Sequence, residues 1–102
     1  RRFARVRCLV DSGAAYSLIP KTTLRRIGIA PSRTRTFFLA DGSEIRRQMG
    51  TAMFILNGEE GASPVVFGER GDSTLLGTVS LEALGVFLDP LRRELRPMPM
   101  LL

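Results

Sequence analysis

The polar and apolar positions change rhythm several times along the chain. From Phe3 to Val10 they first alternate, with Ala4, Val6 and Cys8 against Arg5 and Arg7, and then run together as Cys8-Leu9-Val10. That pattern predicts a half-buried strand that becomes fully buried as it nears Asp11. Ser12-Gly13 stops the run with turn chemistry, and Ala15 to Ile19 is a second short apolar stretch. Pro20 suits the first position of a helix that Gly28 ends, with Leu24 and Ile27 on one face and Lys21, Arg25 and Arg26 on the other. Arg33 to Leu39 reads as a strand and Glu44 to Leu56 as its return. Asp41-Gly42 between them predicts a type I′ hairpin turn, which needs positive φ at both central residues. The return strand is expected to kink at Gly50 and to place Met49, Thr51, Met53 and Ile55 on one face. Asn57-Gly58 predicts a second I′ turn, leading to a strand from Ser63 to Phe67 and a charged loop from Gly68 to Ser73. Thr74-Leu75-Leu76-Gly77 is again an apolar run stopped by glycine. A short helix is expected from Thr78 to Leu84, capped by Thr78 or Ser80, with Leu81 and Leu84 inward and Gly85 at its end. Val86 to Leu88 reads as a strand, Asp89-Pro90 as a turn and Glu94 to Arg96 as a last strand. Pro97 and Pro99 confine the C-terminal residues to an edge or a tail.

Many short strands with two brief helices argue for a mostly-β fold, a small closed or partly open β-barrel. At 102 residues the chain suits a single domain over 1–102, with about 97–102 as a C-terminal tail. Its core is thin, so a partner chain would help. There is no strict repeat, although strand, Asp-Ser-Gly, apolar stretch and helix are loosely echoed by strand, Leu-Leu-Gly, helix and strand.

The net charge of +5 comes mostly from arginines in small groups throughout the chain. A nucleic-acid reader would gather them on one face with aromatics between, so a solvated basic surface is expected and no nucleic-acid partner. No apolar run approaches the ~20 residues needed to span a bilayer, and no signal-peptide pattern opens the chain. These features point to a cytoplasmic protein. The start at Arg1 rather than Met is what a fragment or processed product would show.

Absences narrow the chemistry. The sequence has no histidine and one cysteine, Cys8, inside an apolar run. Ser-His and Cys-His nucleophile pairs, His-ligated metals and internal disulfides are therefore excluded. No phosphate-binding glycine loop is found. No metal and no cofactor are implied, and carboxylates are left to do any chemistry. Asp11 is the first candidate, at the point where an apolar strand emerges into a tight loop.

Leu9-Val10-Asp11-Ser12-Gly13-Ala14 resembles the Asp-Thr/Ser-Gly-Ala signature of retropepsin-like aspartic proteases. Leu75-Leu76-Gly77, followed by a helix and a strand, resembles that family's second signature, and the Asp41-Gly42 hairpin lies where the family has its flap. The likeness is greatest to the bacterial and archaeal single-domain type and runs from about Val6 to Arg96. It implies an aspartic endopeptidase in which two carboxylates share one proton and activate a water. Only one Asp-Ser-Gly is present, so the resemblance implies a homodimer with Asp11 from each copy, acting on an extended polypeptide. A dimerisation or peptide-binding module that does not cut is the rival expectation.

By the same resemblance, Ser12 would bond across the dimer axis, Gly13 would offer its N–H to the carboxylate, and Ala14 would complete the loop. Leu75, Leu76 and Gly77 would pack beneath it. Phe38, Leu39, Ala40, Asp41, Gly42, Ser43, Glu44 and Ile45 would form the flap over the substrate. Val86 to Leu88 and the C-terminal residues would pair across the dimer. Two departures stand out. The flap tip is polar, which implies a polar cleft or a flap that closes poorly. The Met98-Pro99-Met100-Leu101-Leu102 tail has prolines without donors, which leaves room for a different dimer interface.

Overall fold

The computed structural model describes residues 2–99. The part of the predicted tail at Met100, Leu101 and Leu102 lies outside the described residues. Hairpins build one side of the main sheet. Strand β3 (Arg33–Phe38) pairs antiparallel with β4 (Glu44–Leu56), from Arg33 opposite Met49 to Phe38 opposite Glu44. Strand β4 then pairs with β5 (Glu59–Gly68). Asn57 and Gly58 have φ of 49° and 83°, the type I′ geometry expected of them. A two-residue turn sets Leu56 opposite Glu59 at once, so β5 begins at Glu59 and not at Ser63. The Asp41-Gly42 turn differs from expectation. Only Gly42 has positive φ, 84°. The Leu39 N–H donates to the Ser43 carbonyl and the Gly42 N–H to the Leu39 carbonyl, which is a three-residue loop with glycine in the bulge.

The other side of the sheet is assembled from sequence-distant pieces. Strand β2 (Ser17–Pro20) lies parallel to β5, β6 (Leu75–Leu76) runs antiparallel to β2, and β1 (Leu9–Val10) lies parallel to β6. The order is β1-β6-β2-β5-β4-β3, with β1 and β3 at opposite ends. The sheet is therefore open among the described residues, a mostly-β layer and not a closed barrel. The predicted strand from Phe3 shrinks to Leu9–Val10, because no strand among the described residues offers the earlier positions a ladder partner. Leu9 is 65% exposed, contrary to the expectation of full burial, while Cys8 and Val10 are half-buried.

Helix α1 (Lys21–Arg26) starts one residue later than expected. Pro20, at φ −52° and ψ 132°, is extended, ends β2 and caps the helix. Helix α2 (Thr78–Ala83) is capped by Gly77 with no side-chain bond, so neither Thr78 nor Ser80 plays that part. Gly85 follows at φ 73°. Strands β7 (Val86–Asp89) and β8 (Glu94–Pro97) form a separate hairpin, pairing with each other within the chain. Pro97 belongs to β8 and the Met98 N–H donates to the Gly85 carbonyl, so the tail starts later than residue 97.

The core gathers Ile19, Leu24, Ala52, Val65 and Phe67, with Cys8, Ile29 and Phe54 against it. On β4 the residues expected to share one face are not buried together. Ala52 is buried, Met53 and Ile55 are 49% and 48% exposed, and of the expected set only Met49 is buried. The deciding partner is β5, whose Ser63 and Val65 stand opposite Ala52 and Gly50. The ladder with β5 passes through Gly50 unbroken, while the pairing with β3 ends beside it at Met49. A side chain at Gly50 would come within 2.9 Å of the Ala30 carbonyl, and close approach is what glycine provides. Among the described residues, no helix is long and apolar enough to cross a membrane.

Candidate functional site

Asp11 is the last residue held by the β1–β6 pairing. The Leu9 N–H donates to the Thr74 carbonyl and the Asp11 N–H to the Leu76 carbonyl, both at 3.0 Å. The chain then folds back on itself. The Gly13 N–H donates to Asp11 Oδ1 at 2.9 Å, and the Ala14 N–H donates to the Asp11 carbonyl at 3.2 Å. A Cβ on Gly13 would lie 3.2 Å from that same carboxylate oxygen, tighter than most side chains tolerate. Asp11 and Ala14 are half-buried, whereas Ser12 and Gly13 are exposed.

Helix α2 fastens the loop. The first amides of a helix have no partner within it, and Gly77 has no side chain to serve them. Loop carbonyls take that role: the Thr78 N–H donates to Ala14 at 2.9 Å and the Val79 N–H to Ala15 at 3.0 Å. Gly77 is pressed so close that a Cβ there would sit 2.6 Å from the Tyr16 carbonyl carbon. Leu76 is buried and Leu75 half-buried beside β1 and β2. The structure thus brings Asp11, Gly13 and Ala14 together with Leu76 and Gly77.

Beneath the loop lies a buried chain of hydroxyls. Ser17, Ser63 and Ser80 are each at most 1% exposed. The Gly77 N–H donates to Ser17 Oγ at 3.0 Å, Ser17 and Ser80 hydroxyls are 2.5 Å apart, and Ser80 and Ser63 hydroxyls 2.8 Å apart. Ser63 donates to the Pro64 carbonyl at 3.0 Å. Each hydroxyl has one proton. With that of Ser63 committed to Pro64, the direction is settled: Gly77 to Ser17, Ser17 to Ser80, Ser80 to Ser63, Ser63 to Pro64. No buried side-chain polar atom among the described residues lacks a partner. Reading the sequence offers Ser80 only as a helix cap and does not single out Ser17 or Ser63. Their one signal is a small hydroxyl at inward positions of apolar runs.

The predicted flap residues form a separate, exposed hairpin. Phe38 is 73% and Leu39 45% exposed, and residues 40–44 are exposed as well; Ile45 is half-buried. The Asp41 carboxylate accepts from the Ser43 N–H at 2.9 Å and from its hydroxyl, which hold it below the ordinary carboxylate range. Glu44 and Ile45 belong to β4. The link from hairpin to loop is made by Tyr16, also missed in the sequence. Its hydroxyl accepts from Arg35 Nη1 at 3.2 Å, the guanidinium lies 5.7 Å from its ring centre, and its ring meets Phe37 edge-on at 6.1 Å. Farther along, Arg47 donates twice to Asp72, at 2.7 and 2.9 Å, which holds the Asp72 carboxyl below its usual range.

A mostly apolar cavity of about 850 Å³ opens between the irregular residues 2–8, α1 and β4, lined among others by Cys8, Val10, Leu24 and Phe54 but not by Asp11. Burial there pushes the Cys8 thiol up from its ordinary value. Among the described residues, no three of His, Cys, Asp and Glu gather as a metal would require. No protein-family model matches the chain, and no curated protein matches its sequence.

Proposed function

We propose that the chain is an aspartic endopeptidase of retropepsin-like type, working as a homodimer with Asp11 contributed by each copy. One observation carries the reading: Asp11 stands at the end of a paired strand, with an oxygen held by the Gly13 N–H and its loop fastened to α2 through Ala14 and Ala15. A carboxylate that must hold and release a proton in one place needs such fixing. The open sheet and the thin core favour assembly with a second copy.

In the dimer the two Asp11 side chains share one proton, since like charges so close cannot both ionise. The ionised one takes a proton from water as the oxygen attacks the peptide carbonyl. The protonated one gives its proton to the carbonyl oxygen. Collapse of the tetrahedral species then expels the amine, which takes up a proton, and no covalent enzyme intermediate forms. Ser12, exposed beside Asp11, bonds across the axis. The hairpin carrying Phe38 to Ile45 closes over a substrate lying as an added strand.

A non-cutting peptide-binding dimer is the second reading, favoured by the hairpin tip. There the Asp41 carboxylate is satisfied within its own turn and offers little to a substrate. Digestion of a mixed peptide library by wild type and by Asp11→Asn separates the two. Cuts present in the first and missing from the second establish the peptidase. Binding without cutting by both proteins would favour the module.

A further inference from the structure

We propose that Tyr16 and Arg35 form a subsite that selects an acidic side chain of the peptide, which rests on the reading of this cleft as a peptide site. Tyr16 adjoins Ala15, whose carbonyl is tied to the start of α2, so the phenol is anchored to the Asp11 loop. Arg35 comes from β3, the arm of the hairpin. The cation is therefore held between the loop and the hairpin that would enclose a substrate.

Its charge is unmet. In register, Arg35 stands directly opposite Arg47, a like-charge pairing that disfavours the strand. Arg47 is relieved by its two bonds to Asp72. Arg35 has the neutral Tyr16 hydroxyl instead, and among the described residues no carboxylate forms an ion pair with it. A guanidinium has five N–H donors, and the phenol takes one. The bond to the Tyr16 hydroxyl and the position over its ring, itself braced by Phe37, hold the guanidinium in place before any ligand arrives. A pre-oriented, exposed guanidinium is suited to a carboxylate, which it can grip with two bonds.

An extended peptide presents alternate side chains to this wall. In a symmetric dimer there are two such walls, related by the axis that relates the two Asp11 residues. Acidic residues should accordingly be favoured at two positions, at equal distances on either side of the cut bond.

The test is a cleavage-site profile from a randomised peptide library, read by mass spectrometry, for wild type, Arg35→Glu, Tyr16→Phe and Arg92→Glu. The last makes the same charge change in the exposed turn between β7 and β8. The expected result is Asp and Glu enrichment at the symmetric positions in wild type and in Arg92→Glu. It should invert toward Lys and Arg in Arg35→Glu, and weaken by about three- to tenfold in Tyr16→Phe, as for the loss of one orienting hydrogen bond. Cuts without acidic preference, or equal profiles for Arg35→Glu and Arg92→Glu, would overturn the subsite and leave the peptidase standing. If wild type cuts nothing, the peptidase reading fails by itself. The subsite is then read from fluorescence anisotropy of labelled Glu-rich and Lys-rich peptides. Glu-selective binding lost in Arg35→Glu supports it, and binding indifferent to that change refutes it.

Discussion

The Asp11 loop and the β3–β4 hairpin are both short connections with glycine, yet they are held in opposite ways. The loop is exposed at Ser12 and Gly13 but fastened along its inner side. Its backbone reaches Leu76, Thr78 and Val79, and Gly77 behind it leads into a closed chain of buried hydroxyls. The hairpin is an edge. Every β3 residue except Phe37 is exposed, and Asp41 and Ser43 satisfy each other. Few buried contacts and exposed backbone bonds mark a segment that opens locally at low cost. The difference shows how one small sheet can hold one connection still while leaving another free to open.

Substitutions test that contrast from its strongest side to its weakest. Gly77→Ala should do the most damage. Its Cβ would meet Tyr16 backbone at 2.6 Å, where no flexible end can yield, and a loss of about 3 kcal/mol is expected from overpacking of this kind, measured by urea unfolding. Ser80→Ala interrupts the hydroxyl chain in its middle, stranding the Ser17 proton and a Ser63 lone pair. A loss of about 2 kcal/mol is expected from unmet buried polar groups, and amide exchange at Thr78 and Val79 should quicken with it. The Arg47–Asp72 pair lies between the two regions in strength, with side chains 16% and 18% exposed. Its hydrogen bonds to Arg47 lower the folded pKa of Asp72. The pair's contribution is thus complete above the ordinary carboxylate value of about 4 and is lost as pH falls through the lower folded value. Urea midpoints should drop across that acid window in wild type, and drop less in Arg47→Met. Gly42→Ala should matter least. At φ 84° with nothing within 4 Å of the added Cβ, only backbone strain is at stake, about 1 kcal/mol. The effect should appear as faster exchange at the hairpin tip, with little change in global unfolding.

How far the sequence reveals this structure depends on where each decision is taken. Asn57-Gly58 is legible because both residues accept positive φ and the turn needs nothing else. Asp41-Gly42 looks the same in sequence, but there the Asp41 side chain prefers Ser43 and only the glycine turns left-handed. Strand β1 reads too long because alternation reports which face is apolar, not whether a neighbour exists to pair with it. Which face of β4 is buried is illegible for a related reason. Its exposed Met53 and Ile55 look as apolar as its buried Ala52 and half-buried Phe54, and β5 with the helices decides between them. At the site, Asp11 and Gly77 are visible as punctuation in apolar runs. Ser17, Ser63, Ser80 and the Tyr16–Arg35 contact are not, since they depend on residues far apart in the chain meeting in space.

That distance bears on when the site comes into being. Leu9 pairs with Leu75, Ser17 with Val65, and the Ser17 hydroxyl bonds to that of Ser80. Contacts this remote in sequence form late and slowly, because long loops must close before they are rewarded. During synthesis Asp11 precedes these partners, and its loop has only the local bonds from Gly13 and Ala14 until Leu76 and the start of α2 have emerged. A nascent chain therefore carries the carboxylate without its setting. The loop is completed late, when Leu76 and the start of α2 reach it.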